Sequence, residues 1–241
     1  MDTRILGHRG ASQYAPENTL PAFEMALDQG ADGVELDVHL SKDGELVVMH
    51  DERVDRTTNG HGFIKDFTMD ELKSLDACCG MQGYAGVTVP ALSEVYGLFR
   101  ATDKLINVEI KTDIIDYPGI CEKLLALEDS MGMNGRIIYS SFNHYTVTEL
   151  KSLRPEARIG LLYMSMLREP WEYAVKVNAQ ALHPHFITLS KTPGMASVCR
   201  RLGIETNVWT VNESDWMERL AKLGVTSIIT NKPDLARTVI K

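Results

Sequence analysis

The stretch GVELDVHLSKDGELVVMHD runs from Gly33 to Asp51. It sets Glu35 and Asp37 two residues apart and ends on the pair His50–Asp51. In a strand, successive side chains point to opposite faces. Val34, Leu36 and Val38 therefore share one face, and Glu35 and Asp37 share the other. NVEIK repeats the arrangement, with Val108 and Ile110 on one side and Glu109 and Lys111 on the other. Three carboxylates gathered in a confined interior are costly unless something neutralises them. Two readings answer that cost. The carboxylates pair with nearby Arg or Lys, or they hold a hard divalent cation, Mg²⁺ or Ca²⁺, which suits clustered carboxylate oxygens.

Groups able to move protons and hold anions lie close by in the sequence. GHRG ends an apolar run with His8 and Arg9, and VVMHD ends another with His50. Imidazole exchanges protons near neutral pH. Arg9 and Lys111 are the cations a phosphate needs. A divalent metal, two imidazoles, an arginine and a lysine are the parts of a phosphoryl-transfer site.

These residues need strands that end at one rim. Eight short apolar runs recur: RILGHRG, GVELDVHL, LINVEIK, RIIYSSF, RIGLLY, ALHPHF, ETNVWTV and SIITNKP. Helical stripes follow most of them. Leu20, Phe23, Ala26 and Leu27 make one after Asn18. Leu124, Leu125 and Leu127 make another, as do Val198 with Leu202, and Met217 with Leu220 and Leu223. Alternating β and α elements predict a parallel sheet with helices outside. About eight such units in 241 residues predict an α/β fold, a closed (β/α)₈ TIM-type barrel forming one domain over 1–241. Residues 52–92 break the alternation. They hold the turn signal RTTNGHG and, in TMDELKSL, a Thr cap before a short helix. This small insertion follows the second strand and is expected over the barrel mouth, within the same domain.

Composition narrows the partners. Hydrophobic residues make up 44% and charged residues 24%, which predicts a packed core rather than disorder. The net charge of −8 and the absence of a basic cluster argue against nucleic acid. No apolar run is long enough for stable membrane insertion. MDTRILGHRG has no charged n-region, long apolar run or small-residue cleavage site, so a cytoplasmic setting is the expectation. Four cysteines without metal-ligand spacing read as thiols in a reducing compartment.

GHRGASQYAPENTLPAF, GADGVELDVHLSKDGELVVMHD, RTTNGHG, VEIK, SSF and VWTVN together resemble the glycerophosphodiester phosphodiesterase family. The resemblance spans nearly the whole chain in order. Its most specific parts are the HRG…PEN and ExD…HD blocks. It implies a TIM-type barrel that cleaves a small-molecule glycerophosphodiester to sn-glycerol 3-phosphate and an alcohol. It further implies His8 and His50 as the acid–base pair and Glu35, Asp37 and Glu109 as metal ligands. Arg9 and Lys111 are implied as phosphate contacts. One departure stands in TNKP, where many relatives carry Asp and this chain has Asn231. There Asn is expected to cap the next helix before Pro233. Rival readings are a related phosphodiesterase of lysophospholipase D type and an inactive barrel used as a binding module.

His183, Trp209 and Phe142 lie at strand ends and are possible walls of the substrate pocket; core packing is the rival reading for Trp209 and Phe142. His39 reads as solvated or hydrogen-bonded, His61 as a surface residue, and His144 as the neighbour of a helix cap. Asn18 reads as the N-cap of the first helix.

Overall fold

The computed structural model describes residues 3–192 and 194–240. Its nine strands are β1 (Arg4–His8), β2 (Gly33–Leu40), β3 (Leu46–Val48), β4 (Leu105–Ile110), β5 (Ile137–Ser141), β6 (Arg158–Tyr163), β7 (Ala181–Pro184), β8 (Glu205–Val208) and β9 (Ser227–Thr230). Eight of them pair in parallel, and β1 pairs with both β9 and β2, so the sheet closes into a barrel. Each of the eight apolar runs contains one barrel strand. The ninth strand, β3, folds back antiparallel on β2, with Val38 opposite Val48. Parallel strands need crossovers, and helices supply them: α1 (Leu20–Asp28), α2 (Met69–Lys73), α3 (Leu92–Phe99), α4 (Ile120–Met131), α5 (His144–Leu153), α6 (Pro170–Lys176), α7 (Phe186–Ser190), α8 (Met195–Arg201), α9 (Ser214–Leu223) and α10 (Pro233–Val239). Among the described residues, no helix is long and apolar enough to cross a membrane.

The apolar faces of the strands are the core. Val34, Leu36 and Val38 of β2 and Ile106, Val108 and Ile110 of β4 are fully buried, in one cluster with Phe23, Leu92, Tyr96 and Leu124 from the helices. That packing turns the other parity inward, and it carries Glu35, Asp37 and Glu109 with it. The stripe of α8 differs from expectation. Met195, Ala196 and Cys199 face the core, whereas Leu202 lies beyond the helix and is half exposed. The insertion packs a second cluster against β3 and the residue after it, joining Val54, Ile64, Met69 and Leu72 to Val47 and Met49. Thr68 caps α2 in a reciprocal box with Glu71, as TMDELKSL predicts.

The barrel interior is polar near its centre. His183 on β7 is wholly buried, and the Asn207 amide lies 3.1 Å from its Nε2. Burial, with Arg158 second, lowers its pKa to about 3. A histidine kept neutral in the fold adds no pH dependence above its ordinary pKa. Below it, the unfolded chain takes up a proton that the folded chain refuses, so stability falls as pH falls toward 3. Chemical denaturation between about pH 5.5 and 4 is expected to give a slope shallower by about 1.4 kcal/mol per pH unit in His183→Gln than in the parent. Equal slopes would mean that His183 is protonated in the folded protein.

Candidate active site

The three carboxylates converge. Glu35, Asp37 and Glu109 each offer an oxygen, all within 4.8 Å of one another, and all three residues are buried. Register explains the meeting, because Asp37 is paired with Glu109 and His8 with Glu35 across neighbouring parallel strands. Two cations face them. Lys111 Nζ is 2.8 Å from Glu109 and 3.8 Å from Asp37 Oδ1, and Arg9 Nε is 3.5 Å from Asp37 Oδ2. Arg9 has a left-handed φ of 53°, which turns its backbone N–H onto both the main-chain and side-chain oxygens of Glu35. Gly10 continues the turn at φ 82°, where a Cβ would lie 2.5 Å from the Ala22 backbone.

Three anions against two cations leave a strained balance. Burial, then Asp37 and Glu109, holds the Glu35 pKa well above the usual carboxylate range. Burial and Asp37 push Glu109 up to about 7, despite Lys111. Asp37 is also buried, but Arg9, His50, Lys111 and Asn18 more than offset that and hold it near about 2. Its Oδ1 has no hydrogen-bond partner among the described residues.

The two histidines are oriented by different partners. His8 Nδ1 lies 2.6 Å from Asn231 Oδ1, and its Nε2 lies 3.9 Å from Glu35. The amide oxygen can only accept, so Nδ1 carries the proton and Nε2 presents a lone pair. Burial, with Arg9 second, lowers the His8 pKa to about 4. His50 Nδ1 lies 2.7 Å from Asp51, and the His50 backbone carbonyl is 3.2 Å from His39 Nε2. His39 is therefore buried and hydrogen-bonded, with Tyr117 at its other nitrogen.

Several local readings need correction. Asn231 does not cap α10; Lys232 occupies that position, and Asn231 holds His8. Asn18 does not cap α1 either. Thr19 occupies that position, with no side-chain capping bond, while the Asn18 amide donates to Asp37 at 2.9 Å. Both asparagines carry the cap signal, and nothing in the local pattern points to their long-range partners. Glu17 and Asp51 join the site without being foreseen as part of it, Glu17 on Arg9 Nη1 and Asp51 on His50 Nδ1. His144 does start α5, with Asn143 as the cap, and His61 is on the surface.

Phe142 and Trp209 meet edge to face, with centroids 5.5 Å apart. Trp209 Nε1 donates to the His183 carbonyl. His183 and Trp209 line a cavity of about 20 Å³ with His8, Glu35, Asn107 and Glu109. His183 is thus below the rim, with no exposed surface. A wider groove of about 770 Å³ lies between α5 and α6 and is lined by none of the carboxylates.

A closed (β/α)₈ barrel with carboxylates, histidines and cations gathered at its strand ends defines a barrel enzyme with a site suited to anionic substrates. The family model described as the glycerophosphoryl diester phosphodiesterase family matches residues 8–235. The chain belongs to that family. A glycerophosphodiester phosphodiesterase from Caldanaerobacter subterraneus subsp. tengcongensis is 46% identical over 100% of this chain and 99% of its own. Another from Bacillus altitudinis is 38% identical over 97% of this chain and 96% of its own. Among solved structures, the glycerophosphodiester phosphodiesterase from Agrobacterium tumefaciens superposes with a TM-score of 0.87 at 32% identity, covering 98% of this chain and 100% of that one. An Oleispira antarctica phosphodiesterase in complex with the product sn-glycerol-3-phosphate gives 0.85 at 28% identity, covering 99% and 96%.

Proposed function

We propose that this chain is a glycerophosphodiester phosphodiesterase that releases sn-glycerol 3-phosphate and an alcohol with the help of one divalent cation, Mg²⁺ or Ca²⁺. The observation that carries the reading is the convergence of Glu35, Asp37 and Glu109 within 4.8 Å. Their excess negative charge and the free Asp37 Oδ1 suit a hard cation. When bound, such an ion would neutralise charge on the phosphate and lower the pKa of a coordinated hydroxyl. The relatives named for this activity, and the product held by the Oleispira neighbour, support the substrate class.

The protein's own groups have separate tasks. Arg9 and Lys111 hold phosphate oxygens; Lys111 spends one of its three donors on Glu109 and keeps the others. His8 and His50 carry protons. One deprotonates the attacking hydroxyl and the other protonates the departing alcohol, an otherwise poor leaving group. Trp209 and Phe142 wall the pocket. Residues 52–92 cover the mouth within a single 1–241 domain, a reading supported by the Arg56–Glu17 pair and the bond from Tyr84 to the Tyr14 carbonyl. The cytoplasmic assignment belongs to the same proposal, with four free cysteines in its favour.

The nucleophile in this reading is the glycerol 2-hydroxyl. It attacks phosphorus, the P–O bond to the alcohol breaks, and water then opens the cyclic phosphate while the histidines exchange roles. A tethered hydroxyl has a higher effective concentration than water. A diester lacking the 2-hydroxyl is expected to bind with similar affinity and turn over roughly a hundredfold or more slowly. Cleavage at the normal rate would show direct attack by water.

A second reading keeps the chemistry and changes the substrate to a lysophospholipid. Met164, Met166 and Leu167, in the loop after β6, are 62%, 57% and 39% exposed and offer apolar surface on the strand-end side. Comparing glycerophosphocholine with lysophosphatidylcholine separates the two. Hydrolysis of neither, nor of any other glycerophosphodiester, would leave a binding module.

A further inference from the structure

Arg56, in the insertion, lies outside the catalytic set described above. Its guanidinium makes four short bonds to two carboxylates. Nε and Nη2 reach Asp51 at 2.7 and 2.9 Å, and Nη1 and Nη2 reach Glu17 at 2.8 Å each. Each carboxylate has a second task. Asp51 holds His50 Nδ1 at 2.7 Å, and Glu17 holds Arg9 Nη1 at 2.8 Å. One planar fork therefore connects the turn after β1, which carries Arg9, to the segment after β3, which carries His50.

We infer that Arg56 is a positioning residue that sets His50 and Arg9 relative to one another through Asp51 and Glu17. The inference rests on the phosphodiesterase reading for its kinetic meaning, though its geometry stands apart from it. A guanidinium offers five donors in fixed directions, and this site uses its three nitrogens on the four oxygens of two carboxylates. Lysine offers a charge without the fork, so it cannot hold both carboxylates in those planes. Glu17 Oε1 is shared by Arg9 and Arg56, so loss of Arg56 frees Glu17 to follow Arg9 rather than fix it. Asp51 is likewise left with His50 and solvent. The backbone of His50 remains tied to His39, so the expected defect is in ring orientation rather than in the path of the chain. Arg56 is about half exposed, and exposed ion pairs contribute little to stability. The expected effect is on turnover and not on folding.

Arg56→Ala, Arg56→Lys and the control Arg53→Ala would be assayed with glycerophosphocholine. Arg53 lies in the same insertion and pairs only with Asp55 among the described carboxylates. Arg56→Ala is expected to lower kcat roughly tenfold or more while KM rises only severalfold, since small misplacements of reacting groups cost rate steeply. Arg56→Lys should remain impaired, and Arg53→Ala should match the parent. Added guanidinium should restore Arg56→Ala turnover more than methylammonium at equal concentration. Nitrogen NMR of His50 reports the same clamp without any substrate. The parent should show a single Nδ1–H tautomer, and Arg56→Ala a mixture. A silent parent enzyme with this tautomer change would overturn the phosphodiesterase reading and keep the clamp. An active parent with Arg56→Ala within twofold of it, or with an unchanged His50 tautomer, would overturn the clamp alone.

Discussion

Removal of divalent cations by a chelator is expected to lower turnover roughly a thousandfold or more, and one added ion, Mg²⁺ or Ca²⁺, should restore it. The expectation follows from charge. Two permanent cations, Arg9 and Lys111, face Glu35, Asp37 and Glu109, and Glu35 and Glu109 are pushed up in pKa by burial and by neighbouring carboxylates. Without a cation, the site relieves itself by binding protons, and a protonated carboxyl no longer offsets the charge of Arg9 or Lys111. Asp37→Ala should give a loss as large as chelation, because Asp37 pairs with both cations and holds the free oxygen. Titration calorimetry supplies a check independent of rate, since the parent should bind the restoring ion and Asp37→Ala should bind it far more weakly. Full activity in chelator, after dialysis against it, would sink the metal assignment.

His8→Ala and His50→Ala are each expected to reduce kcat roughly a hundredfold or more, because each removes a positioned proton carrier. Folding should survive both changes. Neither side chain belongs to the apolar cluster that holds strands to helices, so that packing stays intact in both variants. The two variants should differ in one respect. The alcohol leaving group discriminates between acid and base, so a diester with an acidic phenol as leaving group should rescue the variant that lacks the acid in the first step. The measurement is the ratio of kcat for the phenolic and choline esters in each variant. A folded, cation-binding variant with near-parental turnover of choline ester would remove that histidine from the mechanism.

The barrel was legible because burial writes itself into strand parity. Val34, Leu36 and Val38 alternate with Glu35 and Asp37, and the fold keeps both faces of that alternation. The same alternation on β4 brought in Glu109 and Lys111. What the sequence concealed are contacts between residues distant in the chain. Asn231 and His8 are 223 positions apart, and Asn18 reaches Asp37 across 19. An asparagine before a helix looks like a cap whatever else it does, because cap chemistry is local and register is not. Arg56 was hidden for a related reason. It stands in a turn-rich insertion whose polar residues ordinarily face water, and only the fold brings Glu17 and Asp51 within reach of one side chain.

The seam where β1 meets β9 gives the site an order of assembly in time. Synthesis in chain order delivers His8, then Glu35 and Asp37, then Glu109, all ahead of Asn231. The side chain that fixes the His8 ring, Asn231, follows β9, the barrel strand that pairs with β1 and seals the barrel. A growing chain can therefore own every group of the reaction and still lack the one that aims its first histidine. Because Asn231 directly follows β9, the pairing that closes the barrel against β1 is also the pairing that brings Asn231 to His8.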